Sequence, residues 1–274
     1  MKITALVENT SVREDLKTVH GLSFYIETDS RKLLFDLGSG EVVVENAAKL
    51  GIDLAAVDAV FISHGHNDHG GALGAFLRIN ERAKVYIRKE AFDPYFAKVG
   101  EGENDVLFIG LDAELAETGR FVFTEEAMRI DDELFVFACT EEVFDTQSRR
   151  ALMRQTADGY EQDDFRHEQN LIIEAGGKKV LLAGCAHSGI CGIVTEAFRY
   201  KPGIEAVIGG FHLHNPNTNA SESRELVLEV AEKLNEYDAV FYTCHCTGKT
   251  AFDWMSEIMN DKLRHFSTGQ TIEL

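Results

Sequence analysis

The sequence has few prolines, a single tryptophan and far fewer basic than acidic residues. Its 274 residues include 3 Pro and 1 Trp, and 27 Lys and Arg stand against 46 Asp and Glu, a net charge of −19. So few prolines argue against long linkers, and 45% apolar residues are ample for one sizeable core. A surface this acidic repels phosphate backbones and attracts metal cations, so we expect no nucleic-acid partner.

The chain also lacks long apolar runs and a disulfide framework. No stretch approaches the roughly 18 apolar residues of a membrane-spanning helix, and the N-terminus has no apolar segment of signal-peptide length. Five cysteines at irregular spacing are typical of reduced thiols. We therefore expect a cytoplasmic protein that has no membrane partner and acts on a small molecule. The sequence allows a homodimer.

The apolar pattern predicts alternating strands and helices. Strands are predicted at 2–7, 22–27, 32–36, 57–62, 83–87, 120–123, 134–138, 169–175, 178–183, 204–208 and 238–243. Helices are predicted at 41–50, 70–79, 190–199 and 219–236, followed near the end of the chain by one more helix and two short strands. The polar, charged segment 141–168 is either a solvated loop or a flap over an active site.

Four of the predicted strands run directly into histidine. They read VFISHGHNDH at 60–69, VLLAGCAH at 180–187, VIGGFHL at 207–213 and VFYTCHCTG at 240–248. In α/β sheets, ligands bind beyond the carboxyl ends of the strands. We therefore expect these four strand ends to converge on one site.

The first of these stretches is the densest. His64, His66, Asp68 and His69 lie within six positions, and their nitrogens and carboxylate suit zinc and related divalent cations. On a turn, His64 and His66 can face one metal while Asp68 and His69 face a second a few Å away. The alternative, a solvated histidine turn, does not account for the buried strand before it or the two glycines after it.

This motif carries a family resemblance. HGHNDH, preceded by VFIS and followed by GG, resembles the signature of the metallo-β-lactamase fold superfamily, and LLFDLGSG, VLLAGC and a late strand ending in histidine agree in order. The resemblance implies an α/β fold, the four-layer αββα metallo-β-lactamase sandwich. It implies one domain over 1–274, with a variable loop-rich insertion at about 88–168.

A narrower resemblance rests on further motifs. VHGLSF, HEQNLII, GCAHSGI, GGFHL and HCTG are similar to the branch named after β-ribofuranosylaminobenzene 5′-phosphate synthase and the dihydropterin-linked enzyme of methanopterin synthesis. That branch is broad, so the resemblance indicates the branch more firmly than the substrate.

The superfamily resemblance implies further ligands. His245 would be the last ligand of the second metal, and His187 is favoured over His167 as the third ligand of the first. Cys185 stands where many members have a bridging aspartate, and a thiolate can also bind zinc. One or two zinc ions are implied, with manganese or iron as alternatives.

Two further residues have open roles. His212 is a ligand, a general acid or a substrate contact, and with Asp68 it is a candidate catalytic residue. Asp36 either orients a metal-bound imidazole or is an ordinary turn residue.

The leading hypothesis is a metal-dependent hydrolase or a related group-transfer enzyme. It would use a metal-bound hydroxide on an ester, phosphoester or similar small molecule, and a phosphorylated substrate fits the narrower resemblance. One alternative is a di-iron redox protein, which His66 disfavours because such relatives typically have glutamate there. The other is a non-catalytic metal-binding or sensor protein on the same fold, although the complete motif argues against a decayed site.

Overall fold

The computed structural model describes residues 1–102, 105–139 and 146–274. The first nine strands in these ranges are β1 (Lys2–Val7), β2 (Ser23–Glu27), β3 (Lys32–Phe35), β4 (Ala59–Phe61), β5 (Lys84–Ile87), β6 (Tyr95–Lys98), β7 (Val106–Phe108), β8 (Phe121–Phe123) and β9 (Ala127–Arg129). The remaining strands are β10 (Leu134–Phe137), β11 (Leu152–Thr156), β12 (Gly159–Gln162), β13 (Asn170–Ala175), β14 (Lys178–Leu182), β15 (Ala206–Gly209), β16 (His214–Asn215), β17 (Ala220–Ser221), β18 (Val240–Thr243), β19 (Leu263–His265) and β20 (Thr271–Glu273).

The α-helices of the described residues lie between these strands. They are α1 (Val42–Lys49), α2 (Asn67–Gly70), α3 (Leu73–Ile79), α4 (Gln147–Arg150), α5 (Ile190–Tyr200), α6 (Arg224–Asn235) and α7 (Lys249–Met259). None of them is long and apolar enough to cross a membrane.

Two seven-stranded sheets pack against each other. Their orders are β20-β1-β2-β3-β4-β5-β8 and β19-β18-β15-β14-β13-β10-β9. Side chains alternate across a strand, so every second apolar residue enters the layer between the sheets. That central cluster includes Phe35 and Phe61 from the first sheet and Leu182 and Ile208 from the second.

Helices cover both outer faces. Val43 of α1 and Phe76 of α3 pack with Val60 on the first sheet. Helices α5, α6 and α7 cover the second sheet, where Val194 and Val230 belong to a separate buried cluster. The predicted four-layer αββα sandwich is confirmed.

Parallel pairing brings the predicted histidine stretches to one edge. Strand β4 runs parallel to β3 in the first sheet, and β14, β15 and β18 run parallel in the second. The four histidine-bearing segments follow β4, β14, β15 and β18, so their side chains emerge at the same edge of the sandwich.

The structure differs from the prediction in the polar segment 141–168. Residues 141–145 lie outside the described residues. From Gln147 on, the segment holds α4, β11 and β12 rather than an irregular loop. Strands β11 and β12 join β6 and β7 in a four-stranded sheet with the order β12-β11-β6-β7. Side chains of Phe96, Phe108 and Tyr160 pack edge to face within it, which accounts for its regularity.

The helix predicted at 219–236 begins later, at Arg224. Ser223 is its N-cap, and its hydroxyl accepts a hydrogen bond of 3.2 Å from the backbone N–H of Leu226. Ala220 and Ser221 are instead paired with His214 and Asn215 as β17 and β16. The capping serine therefore sets the start of the helix.

We predict that Ser223→Ala destabilises the fold by about 1 kcal/mol, because the mutation removes the side-chain acceptor at the start of α6. Ser223→Asp retains an acceptor and adds a favourable charge at the helix N-terminus, so its stability should match or exceed that of the wild type. Denaturant unfolding of the three proteins checks this. Equal stability of the alanine and aspartate variants would contradict the capping role.

Candidate metal centre

The HGHNDH motif forms the turn between β4 and α2, and its imidazoles are buried. His64 and His69 are fully buried, and His66 is 3% exposed. Burial disfavours a charged imidazole, so the pKa of His64 lies well below its usual range and the pKa of His66 falls to about 3. Both rings are neutral near pH 7 and therefore have a nitrogen lone pair for a metal.

His64 and His187 converge in a first group of donors with Cys185, and His66 lies beside them. Nε2 of His64 lies 3.2 Å from Nε2 of His187, and the ring of His66 is centred 4.5 Å and 4.9 Å from theirs. Burial lowers the pKa of His187 as well. Within the described part of the chain, the buried Nε2 of His66 and Nδ1 of His187 have no hydrogen-bond partner. An orphaned buried nitrogen among neutral imidazoles fits a cation site.

Asp68, His69 and His245 form a second group beside the first. Oδ2 of Asp68 lies 3.2 Å from Nε2 of His245 and 3.6 Å from Nε2 of His69, and the two nitrogens are 3.3 Å apart. Burial acts to raise the pKa of Asp68, but the imidazoles of His69, His20 and His245 hold it well below its usual range. The carboxylate is therefore ionised and available to a cation.

Cys185 lies between the two groups. Its Sγ is 3.1 Å from Nε2 of His69, and it lies within 4.8 Å of donor atoms in both groups. Burial, together with Cys246, raises the pKa of this thiol well above its usual value. The thiol is thus protonated alone, whereas a bound cation would deprotonate it. Its Sγ is thus a donor that both groups could share.

Asp36 orients two of the imidazoles through Ser63. Its Oδ1 accepts a hydrogen bond from the Ser63 backbone N–H and its Oδ2 one from the Ser63 hydroxyl, each 2.7 Å long. The same Oδ2 lies 2.6 Å from Nδ1 of His69, and the Ser63 hydroxyl lies 2.8 Å from Nδ1 of His64. Of the two roles predicted for Asp36, the structure shows the orienting one.

These contacts also explain the pKa of His69. Burial acts to lower it, but the carboxylates of Asp36 and Asp68 outweigh burial and raise it to about 9. Gly184 makes the close packing possible, since a Cβ at this position would overlap the side chain of Ser63.

The sequence alone did not identify three other orienting residues. Asn9 Oδ1 lies 2.9 Å from Nδ1 of His245, and Glu8 accepts a hydrogen bond of 2.7 Å from the His245 backbone N–H. Glu168 accepts a hydrogen bond of 2.6 Å from the backbone N–H of His187. Glu8 and Asn9 follow β1 directly, and polar residues at the end of a strand are a sequence feature that could have indicated them. The position of Glu168 depends on tertiary contacts.

His167 lies beside His66, and its donor atom is grouped within 4.8 Å of those of His66 and Asp163 and not with those of His64, Cys185 and His187. Nδ1 of His167 accepts a hydrogen bond of 2.9 Å from the Gly65 backbone N–H, and its Nε2 lies 2.8 Å from Oδ2 of Asp163. Both ring nitrogens therefore have protein partners, whereas His187 faces His64 directly. This geometry favours His187, and it gives His167 the role of fixing the loop at Gly65.

His212 reaches the site from the end of β15. Its ring centre lies 4.3 Å from that of His187, and in the described structure both of its buried ring nitrogens lack a partner. The Sγ atoms of Cys185 and Cys246 each lie within 4.8 Å of a ring nitrogen of His212. The geometry thus leaves the roles of ligand, general acid and substrate contact open.

The floor of a cavity of about 330 Å³ holds these side chains. His66, Asp68, Cys185, His187, His212 and His245 all line it. The site is therefore accessible to a small molecule.

Comparison with known proteins agrees with this fold. Residues 16–133 match the model of the metallo-beta-lactamase superfamily. The crystal structure of Tm1679, a metal-dependent hydrolase of the beta-lactamase superfamily, superposes with a TM-score of 0.80 at 28% identity, covering 100% of this chain and 99% of that one.

Two proteins of Methanocaldococcus jannaschii are similar in sequence. One is uncharacterized and is 27% identical over 265 residues, which cover 94% of this chain and 95% of the relative. The other is a 7,8-dihydropterin-6-methyl-4-(beta-D-ribofuranosyl)-aminobenzene-5′-phosphate synthase. It is 27% identical over 273 residues, which cover 93% of this chain and 90% of the relative. These matches agree with both resemblances carried by the motifs.

We predict that Asp36→Asn weakens divalent-metal binding roughly 10- to 100-fold, because the amide loses one acceptor and no longer balances the His69 imidazole. Asparagine tolerates the left-handed backbone of this position (φ 58°), so the fold should persist. Competition with a chromophoric chelator measures the affinity. The exposed Asp29→Asn is the control and should bind as the wild type does. An unchanged affinity for Asp36→Asn would exclude the orienting role.

Proposed function

Because the chain carries a metallo-β-lactamase domain, we propose that it is a metal-dependent hydrolase of small molecules. The observation that supports this proposal is the set of overlapping donor clusters at the cavity floor, in two of which Cys185 joins histidines of the HGHNDH turn. His64, His66 and His187 would hold one divalent cation, and Asp68, His69 and His245 would hold the other. Nitrogen, oxygen and thiolate donors of this kind favour zinc, with manganese or iron as alternatives.

The bound cations would supply a nucleophile from water at neutral pH and polarise the bond to be broken. The rest of the chemistry belongs to the protein. Asp36 and Ser63 hold the imidazoles in place, and the apolar surroundings exclude bulk water from the floor. The Asp68 carboxylate, ionised and 16% exposed, can hold a proton-bearing oxygen in the cavity.

His212 is the residue we propose as proton donor to the leaving group. Its ring lines the cavity and has no protein partner for either nitrogen among the described residues. Imidazole is the side chain best suited to transfer a proton near neutral pH. The location proposed for this chemistry is the cytoplasm, since all five cysteines lie in the described ranges and none forms a disulfide.

We predict about two divalent ions per chain in protein purified without chelator or histidine tag, as measured by elemental analysis. His66→Ala should lose at least one ion and reduce ester or phosphoester hydrolysis by a factor on the order of 10² or more. His265→Ala, at an exposed position on β19, is the matched control and should retain both metal and activity.

Chelation of the wild type should abolish hydrolysis, and added zinc or manganese should restore it. Two irons with oxygen- or peroxide-dependent redox activity would instead establish the di-iron alternative. Bound metal without turnover of any ester or phosphoester would favour the sensor alternative. The absence of bound metal would refute the metalloenzyme.

Cys185 gives a second, spectroscopic prediction. Cobalt-substituted wild type should show the near-ultraviolet charge-transfer band of a thiolate ligand, because Sγ lies among both donor groups. Cys185→Ala should lose that band and bind about one ion instead of two, whereas Cys185→Asp should lose the band but retain both ions. A band that persists in Cys185→Ala would assign the ligand to Cys246 instead.

A further inference from the structure

The cavity above the candidate metal centre has two unlike walls. Polar and ionisable side chains form the floor, as described above. The small sheet of β6, β7 and β11 forms the opposite wall, which consists of Ala97, Leu107, Phe108, Ile109 and Leu152. A ligand that reaches the floor must therefore lie along an apolar surface.

No lysine or arginine lines this cavity among the described residues. The eight residues outside the described ranges, 103–104 and 140–145, contain no lysine or arginine either. The neighbouring Arg149 is buried, and its guanidinium lies 5.0 Å from the ring centre of Phe165 and not on the cavity wall. A phosphate group remote from the metal centre would find no lysine or arginine on the described cavity lining.

Backbone N–H groups near the floor are also occupied. The Ser188 and His187 N–H groups, at the start of α5, both donate to the carboxylate of Glu168, over 2.8 Å and 2.6 Å. Glu168 is 1% exposed. The protein's own carboxylate thus occupies two backbone N–H groups in the loop before α5, and they are not available to an anionic ligand.

The same arrangement recurs on the other side of the cavity. Glu222 accepts hydrogen bonds from the Ser148 backbone N–H (2.8 Å) and the Ser148 hydroxyl (2.6 Å), as well as from the Gln147 N–H (3.2 Å). The remaining polar groups at the rim include the uncharged side chains of Asn67, Asn215 and Asn217. With Asp68 on the floor and a net charge of −19, the electrostatic field opposes a second negative group.

We propose that this cavity binds an uncharged, apolar acyl or aryl group, so that the substrates are carboxylic esters or lactones without a phosphate group remote from the reacting bond. The inference rests on the proposed hydrolase and specifies its substrate class. Hydrolysis forms a bond between the acyl carbon and the oxygen of water and breaks the bond from that carbon to the alkoxy oxygen. One proton of the water leaves with the alcohol, and the other passes to solvent as the carboxylate forms.

The test uses the metal-loaded protein and two pairs of matched probes. Phenylacetamide and phenyl phosphate are titrated calorimetrically, and phenyl butyrate and phenyl phosphate are compared as substrates. We expect phenylacetamide to bind at least tenfold more tightly than phenyl phosphate, and kcat/KM for the ester to exceed that for the phosphomonoester by at least tenfold.

Leu107 offers a gain-of-function variant, since it lies on the apolar wall and is 56% exposed, so a polar residue there leaves the fold intact. Leu107→Lys should raise the affinity for phenyl phosphate roughly tenfold and increase KM for phenyl butyrate. Leu107→Gln, of similar size and uncharged, should increase KM for the ester without improving phosphate binding.

The outcomes separate this inference from the proposed function. Tighter binding or faster turnover of phenyl phosphate by the wild type would overturn the apolar substrate class while leaving a metal-dependent hydrolase in place. Failure of phenylacetamide to bind would also overturn it. Binding of phenylacetamide by a protein that hydrolyses neither substrate would sustain the apolar cavity and refute the hydrolase.

Discussion

The candidate centre depends on one buried carboxylate, that of Asp36. A buried carboxylate costs several kcal/mol unless hydrogen bonds satisfy it, and here the Ser63 N–H, the Ser63 hydroxyl and the His69 ring all do so. The Asp36 backbone N–H in turn donates to the carbonyl of Phe61, so the parallel pairing of β3 with β4 positions the carboxylate. The same carboxylate therefore fixes one imidazole of each donor set, His69 directly and His64 through Ser63.

Several residues around this centre have strained backbone conformations. Asp36, Ala186, His212 and His245 are non-glycine residues with positive φ between 49° and 58°, and all four follow strands at the same edge. Such conformations cost on the order of 1–3 kcal/mol each and persist where the surroundings hold them. Glu8 and Glu168 do so by accepting N–H bonds from His245 and His187. The strain turns the side chains back over the sheet edge toward one another.

The local apolar pattern of the sequence was sufficient to predict most strands and helices of the fold. Buried strands such as β4 and β14 are continuous apolar runs between polar turns, and β1, at Lys2–Val7, has the bounds that its pattern predicts. The start of α6 was placed too early because the capping of Ser223 competes with helical periodicity. The four-stranded sheet was missed because its short strands are stabilised by aromatic contacts between distant segments, as between Phe96 and Tyr160.

The site residues that are close together in the sequence could be predicted, whereas those brought together only by folding could not. The motif from His64 to His69 is contiguous, and the strand ends carrying His187 and His245 follow from the rule for parallel sheets. By contrast, the choice between His187 and His167 is decided by hydrogen bonds that only the folded chain forms. In the same way, Ser63, Asn9 and Glu168 have no distinguishing pattern in the sequence, since each acts through one contact across the fold.

Attraction of cations and exclusion of anions follow from the same distribution of charge. Buried carboxylates either face the donor groups, as Asp68 does, or occupy the N–H groups around the cavity, as Glu168 and Glu222 do. Positive charge would therefore enter the floor mainly with the metal, because no lysine or arginine lines the cavity among the described residues. The neutral, unpartnered Nε2 of His66 carries a desolvation cost that a bound cation would remove. Metal binding should thus stabilise the folded chain as well as equip it for chemistry, because the donors are already assembled before the ion arrives.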